Sequence, residues 1–148
     1  FTLQPGQAVF LEPGILHSYI QGAGIEIMAN SDNVIRGGLT PKHIDKDVLF
    51  DIARFEPYLP KLLHPHLRLN ELVPYPNPAE EFHLYRLLLE GNYILANQYK
   101  PMLLFCFRGS LHTESGLSLQ RGEAIFIPCE EKILQLSGSA DLFIASTY

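Results

Sequence analysis

The histidine at position 17 is the first residue whose surroundings suggest chemistry. It closes the stretch GQAVFLEPGILH (6–17), in which a glycine and an apolar run lead into a Pro-Gly turn. Such a turn sets the register of the next strand, so the imidazole can point into a barrel where a metal ion could sit. The competing reading is a histidine packed in a barrel core with both ring nitrogens satisfied. A metal site needs three or four ligands, and His17 is the one clear candidate. Downstream lies a polar segment with Asn30, Ser31, Asp32, Asn33, Arg36, Thr40 and Lys42. Gly37 and Gly38 follow Arg36, so backbone can approach a ligand closely there. Arg36 and Lys42 are the strong phosphate donors near His17, one a two-pronged fork and the other a point charge. Asp32 could equally pair with Arg36 and merely hold a loop. His64 and His66 form an H-x-H pair that would share one face of a strand. Pro65 between them favours a solvated linker instead. His83 and His112 stand alone and suit surface or cross-strand roles.

The elements that must position these residues are short and β-rich. Eleven prolines and eleven glycines punctuate the chain. Between them run AVFL (8–11), GIEIMA (24–29), FHLYRLLL (82–89), LLFCF (103–107), EAIFI (123–127) and DLFIAS (141–146). Short strands separated by frequent turns predict an all-β sandwich or barrel. One helix is expected behind Asp45, whose carboxylate can cap the free N–H groups of a first turn. Val48, Leu49, Ile52 and Ala53 would form its apolar stripe, and Pro57 and Pro60 bound it. A Pro- and His-containing connector, 60–78, follows, with weak strand character near 67–72.

Residues 2–31 and 118–147 align without a gap at a constant offset of 116. Leu3/Leu119, Gln4/Gln120, Gly6/Gly122, Ala8/Ala124, Phe10/Phe126, Gly22/Gly138 and Ala29/Ala145 are identical. The same turn–strand–turn–strand unit is therefore expected twice. The copies differ where chemistry would sit. Gly14, His17, Tyr19 and Glu26 in the first become Glu130, Ile133, Gln135 and Leu142 in the second. This is the pattern of an active β-barrel beside a degenerate structural copy.

Composition narrows the function classes. The 148 residues are 47% hydrophobic and 18% charged, as in an ordinary globular chain. A net charge of -5 argues against nucleic-acid or anionic-membrane surfaces. No apolar run approaches the roughly 20 residues of a membrane helix. Cys106 and Cys129 lie in apolar segments, are expected to be buried thiols, and fit a cytoplasmic location. Phe1 opens a stretch with neither a basic leader region nor a cleavage site. It reads as the middle of a β-rich domain, so the chain is expected to be a piece of something longer.

The stretch 6–17 resembles the second half of the cupin motif, G-x5-P-x-G-x2-H. Gly14 and His17 hold their places, and Pro13 falls one residue late. In the second copy Pro128 is in place, but the histidine has become Ile133. The run HSYIQGAGIEIMANSDNVIRGGLTPK (17–42) closely resembles the signature of type I phosphomannose isomerases, with Ser18 in place of the usual alanine. The resemblance implies a cupin jelly-roll fold: 1–60 would be the last strands of a catalytic barrel plus a connecting helix, and 61–148 a second, degenerate jelly roll. It also implies a zinc enzyme, with one ion per complete catalytic domain. Such an enzyme interconverts mannose 6-phosphate and fructose 6-phosphate by moving a proton between C1 and C2. In that frame His17 matches a zinc ligand and Arg36 an active-site arginine. Tyr19, Glu26, Asp32 and Lys42 match pocket residues, with Lys42 assigned to the anionic substrate. The family's other zinc ligands, a Gln-x-His pair and a glutamate, have no counterpart here. The isolated chain is accordingly expected to bind zinc weakly or not at all and to lack activity without the N-terminal part of the enzyme. Two rivals stand beside this reading. One is a non-catalytic cupin module that binds sugar or a protein partner. The other is a different metal cupin such as a dioxygenase, which would leave the S-D-N-V-x-R run without a role.

Overall fold

The computed structural model describes residues 1–31 and 33–147. Its described elements are a two-stranded sheet, one helix and a six-stranded antiparallel sheet. Strands β1 (Ala8–Val9) and β2 (Leu62–Leu63) pair antiparallel, tying the start of the chain to the connector. Helix α1 (Lys46–Ile52) begins where the sequence predicts, with the Asp45 carboxylate accepting from the Val48 N–H at 3.1 Å. Ala53 stands just outside it as the C-cap. Its apolar stripe is only partly covered: Leu49 and Ala53 are half-buried, while Val48 and Ile52 are exposed.

The large sheet is built from β3 (Leu72–Tyr75), β4 (His83–Ala96), β5 (Met102–Thr113), β6 (Ser118–Gln120), β7 (Ala124–Ile127) and β8 (Ile133–Ser146). Strand order is β3-β4-β8-β5-β6, with β7 on the other half of the outer edge of β5. β8 is clasped along nearly its whole length by β4 on one side and β5 on the other. The core follows from period-two burial. Leu87, Leu142 and Cys106 face one another across three strands, and all are fully enclosed. Along β5 the buried positions are Met102, Leu104 and Cys106, then Leu111 and Thr113. The parity changes because the register slips between Cys106 and Arg108, leaving Phe107 as an extra residue.

On the opposite face the Arg86 guanidinium donates to both oxygens of Asp141, at 2.8 and 2.7 Å. It also lies 5.2 Å from the centre of the Phe143 ring. That ring stacks on Tyr75 and meets Phe107 edge-on. The hydrogen bond to Asp141 holds the Arg86 guanidinium above its ordinary pKa. The Tyr75 hydroxyl donates to the Gly6 carbonyl at 3.2 Å, which ties the opening segment to the large sheet.

The internal repeat is visible in the backbone. Gly6 and Gly122 have φ of 88° and 90°, and Gly22 and Gly138 have 129° and 147°. Gln7 N–H donates to the Gln4 carbonyl as Glu123 N–H does to that of Gln120, both at 3.0 Å. In return the Gln4 and Gln120 N–H groups donate to the side-chain oxygens of Gln7 and Glu123. Beyond these turns the copies part. Residues 133–146 are one long strand, whereas the matching residues 17–30 have no strand. The expected strand at 24–29 is therefore not found, and that at 8–11 shrinks to Ala8–Val9. Backbone pairing explains both: an extended segment persists only where neighbours take up its N–H and C=O groups. β8 has two such neighbours, and 24–29 has none among the described residues. The expectation for the cysteines holds in part, since Cys106 is buried but Cys129 only half-buried.

Candidate functional site

The site grows from the turn that precedes His17. Gly14 has φ of 83°, a conformation open to glycine at little cost. It also lies against the end of α1, where a Cβ would come 2.7 Å from the Ile52 carbonyl oxygen. The Arg54 N–H donates to the Gly14 carbonyl at 2.9 Å, and Ile15 forms a parallel bridge with Arg54. The Arg54 guanidinium reaches the Glu12 carboxylate at 2.6 Å. Tyr58 adds a bond from its hydroxyl to the Phe10 carbonyl at 3.3 Å.

From this turn the chain delivers His17, which is exposed. Its Nδ1 lies 2.9 Å from the Ile15 carbonyl oxygen. A carbonyl can only accept, so Nδ1 is the donor and Nε2 is the nitrogen left for another partner. The His17 and Tyr19 rings meet edge-on at 5.9 Å. The Tyr19 hydroxyl donates to Glu26 Oε1 at 2.9 Å, closing a chain His17–Tyr19–Glu26. Partial burial of the Tyr19 hydroxyl, then the bond to Glu26 and its negative charge, raise the phenol above its usual pKa. The residue as a whole is 74% exposed.

Arg36 is half-buried. The backbone of its neighbour Gly37 sits so close to Leu16 that a Cβ would come 3.1 Å from Leu16 Cδ2, which brings the Arg36 loop beside the residue before His17. Lys42 is exposed, with its N–H donated to Thr40 Oγ1 at 3.2 Å. Asp32, and with it any Asp32–Arg36 pair, lies outside the described residues. His17 lines a cleft of about 400 Å³ together with Leu11, Ile15, Arg54, Phe55 and Tyr58.

Among the described residues no three His, Cys, Asp or Glu side chains gather as a metal group. The H-x-H pair is exposed, and the Gln7 side-chain nitrogen lies 3.2 Å from His64 Nδ1. His112 bonds across strands to Ser118 Oγ at 2.8 Å, one of the roles expected for it. Sequence reasoning missed Glu12 and Arg54. They lie 42 positions apart, and no local pattern signals such a pair.

No protein-family model matches this chain. It is 38% identical over 146 residues to the mannose-6-phosphate isomerase of Salmonella typhimurium, covering 95% of this chain and 37% of that one. It is 33% identical over 159 residues to the human mannose-6-phosphate isomerase, covering 97% of this chain and 37% of that one. Among solved structures, phosphomannose isomerase from Salmonella typhimurium bound to its substrate fructose 6-phosphate and a zinc atom superposes with a TM-score of 0.68. That match has 32% identity and covers 81% of this chain and 32% of that one. The chain thus spans about 37% of the length of these curated relatives. Its all-β fold matches the cupin-like fold of that enzyme.

Proposed function

We propose that this chain, homologous over nearly its whole length to the C-terminal portion of mannose-6-phosphate isomerases, is part of an enzyme that interconverts mannose 6-phosphate and fructose 6-phosphate. The observation that carries the reading is this homology running through 17–42, where the polar residues lost from the second copy are found. On this reading 1–60 close the catalytic barrel and supply the connecting helix, and 61–148 form the second jelly roll.

The donor set fits a share in a zinc site. Nδ1 of His17 is engaged by the Ile15 carbonyl, which leaves Nε2 as the ligand atom, the usual arrangement for a metal-binding imidazole. The other ligands would come from the rest of the longer enzyme. Bound zinc supplies Lewis-acid polarisation of a sugar oxygen. This chain's own residues do the remainder. Arg36 stabilises negative charge as the proton leaves C2 or C1. Tyr19 orients the Glu26 carboxylate through their hydrogen bond, and the pair contributes to the sugar pocket. Lys42 holds the phosphate as a point charge. Partners are then a phosphorylated hexose and the N-terminal part of the same enzyme, with no nucleic acid or membrane. A cytoplasmic location fits two free thiols. Among the described residues no helix is long and apolar enough to cross a membrane.

A coupled isomerase assay with mannose 6-phosphate and added zinc tests the reading. Activity is expected in the full-length protein and not in the 148-residue chain. Activity in the short chain would overturn the need for further ligands. Silence in both would favour a non-catalytic cupin module.

A further inference from the structure

The segment that carries every candidate site residue leaves the Pro-Gly turn at 13–14 and returns at the end of α1. Its two ends are joined at one residue. The Arg54 N–H bonds to the Gly14 carbonyl, its side chain to the Glu12 carboxylate, and its backbone bridges Ile15. The Ile15 carbonyl is the group that holds His17 Nδ1. Arg54 and His17 line the same cleft. Among the described residues the second copy has no ion pair at the matching turn. Glu12 and Gly14 correspond to Pro128 and Glu130, and that turn is held by Asn97, whose N–H donates to the Lys132 carbonyl at 2.8 Å and whose side chain donates to the Pro128 carbonyl at 3.2 Å. The Arg54–Glu12 clasp thus belongs to the copy that keeps the histidine.

We infer that Arg54 is a positioning residue: through Glu12 and the Gly14–Ile15 backbone it sets the direction in which His17 presents Nε2. This rests on the isomerase reading for its catalytic consequence. Loss of the ion pair leaves only the backbone bonds to hold the turn, so the Ile15 carbonyl and the imidazole on it should become less tightly fixed. Groups that orient a metal-binding histidine typically change metal affinity by about tenfold to a hundredfold.

The test uses full-length protein carrying Arg54→Met, Arg54→Lys, and the exchange Glu12→Arg with Arg54→Glu. Zinc affinity is read by chelator competition, kcat and KM by the coupled assay, and amide exchange at Ile15 and His17 by NMR. Arg54→Met is expected to weaken zinc binding about tenfold. It should lower kcat with KM little changed, and speed exchange at both amides. Arg54→Lys and the exchanged pair should recover part of each loss. Wild-type zinc affinity and amide exchange in a folded Arg54→Met protein would overturn the inference, as would a folded exchanged pair no better than Arg54→Met. If the wild-type protein binds zinc but shows no isomerase activity, the isomerase reading fails alone. The affinity and exchange data then still decide whether the clasp orients His17.

Discussion

At the scale of single residues, three side chains make distinct demands. Arg36 is a half-buried cation in a loop whose Gly37 backbone lies against Leu16, with a two-pronged donor suited to developing charge. On the isomerase reading, Arg36→Ala in the full-length protein should lower kcat by about a hundredfold, the scale seen when one transition-state donor is removed. The melting temperature should shift by no more than a few degrees. Equal losses of activity and stability would make Arg36 structural instead. Gly14 is constrained twice, by its φ and by the Ile52 carbonyl, so Gly14→Ala should separate the turn from α1. Faster amide exchange at Arg54, whose N–H is bonded to Gly14, would report it. Cys106 is enclosed in the core, and burial, reinforced by the charges of Asp141 and Glu123, pushes its thiol above the ordinary value of 9.0. The folded chain therefore keeps this proton when the unfolded chain gives it up, and stability declines as pH rises past that value. A thiolate-directed reagent at neutral pH should modify Cys129 in the folded chain, and Cys106 only after denaturation.

At the scale of elements, β8 is the strand on which the sheet depends. Leu142 contacts the rows of both neighbouring strands and is fully enclosed. Leu142→Ala should cost about 2–5 kcal/mol in urea unfolding. On the other face, Arg86→Met would leave the Asp141 carboxylate buried without its partner. The loss should be about 3–5 kcal/mol, and Asp141→Asn in the same protein should recover part of it. Much of this architecture was legible. The capped helix, the apolar runs of β4, β5 and β7, and the gapless repeat follow from period, turn residues and spacing. The lengths of β4 and β8 were not. Glu90-Gly91-Asn92 and Ser137-Gly138-Ser139 look like turns, yet they lie mid-strand and face one another, Gly91 opposite Gly138. The 24–29 run misleads in the other direction, since its alternation is that of a strand but pairing depends on neighbours remote in sequence. Within the site, the turn, His17 and the polar loop could be read locally. The Arg54–Glu12 clasp joins groups 42 positions apart, and the Tyr19–Glu26 bond depends on how the chain turns between two residues seven apart.

At the scale of the whole molecule, the unequal copies explain each other. β8 is fastened on both flanks, while its counterpart 17–30 leaves Ile20 97% and Tyr19 74% exposed. In the full-length protein the counterpart should gain two flanking strands. Amides of 17–30 should then exchange slowly there and rapidly in the 148-residue chain, as read by mass spectrometry. Equal exchange in the two would mean that this segment is not a strand of the longer protein. The enclosure of Leu142 also has a chemical consequence. It occupies the position that Glu26 holds in the first copy, and its neighbours across the sheet are Leu87 and Cys106. Returning a glutamate there would sink an unpaired carboxylate into an apolar layer, a change that single substitutions cannot offset. A polar site cannot be restored at this position without rebuilding the layer formed by Leu87, Leu142 and Cys106.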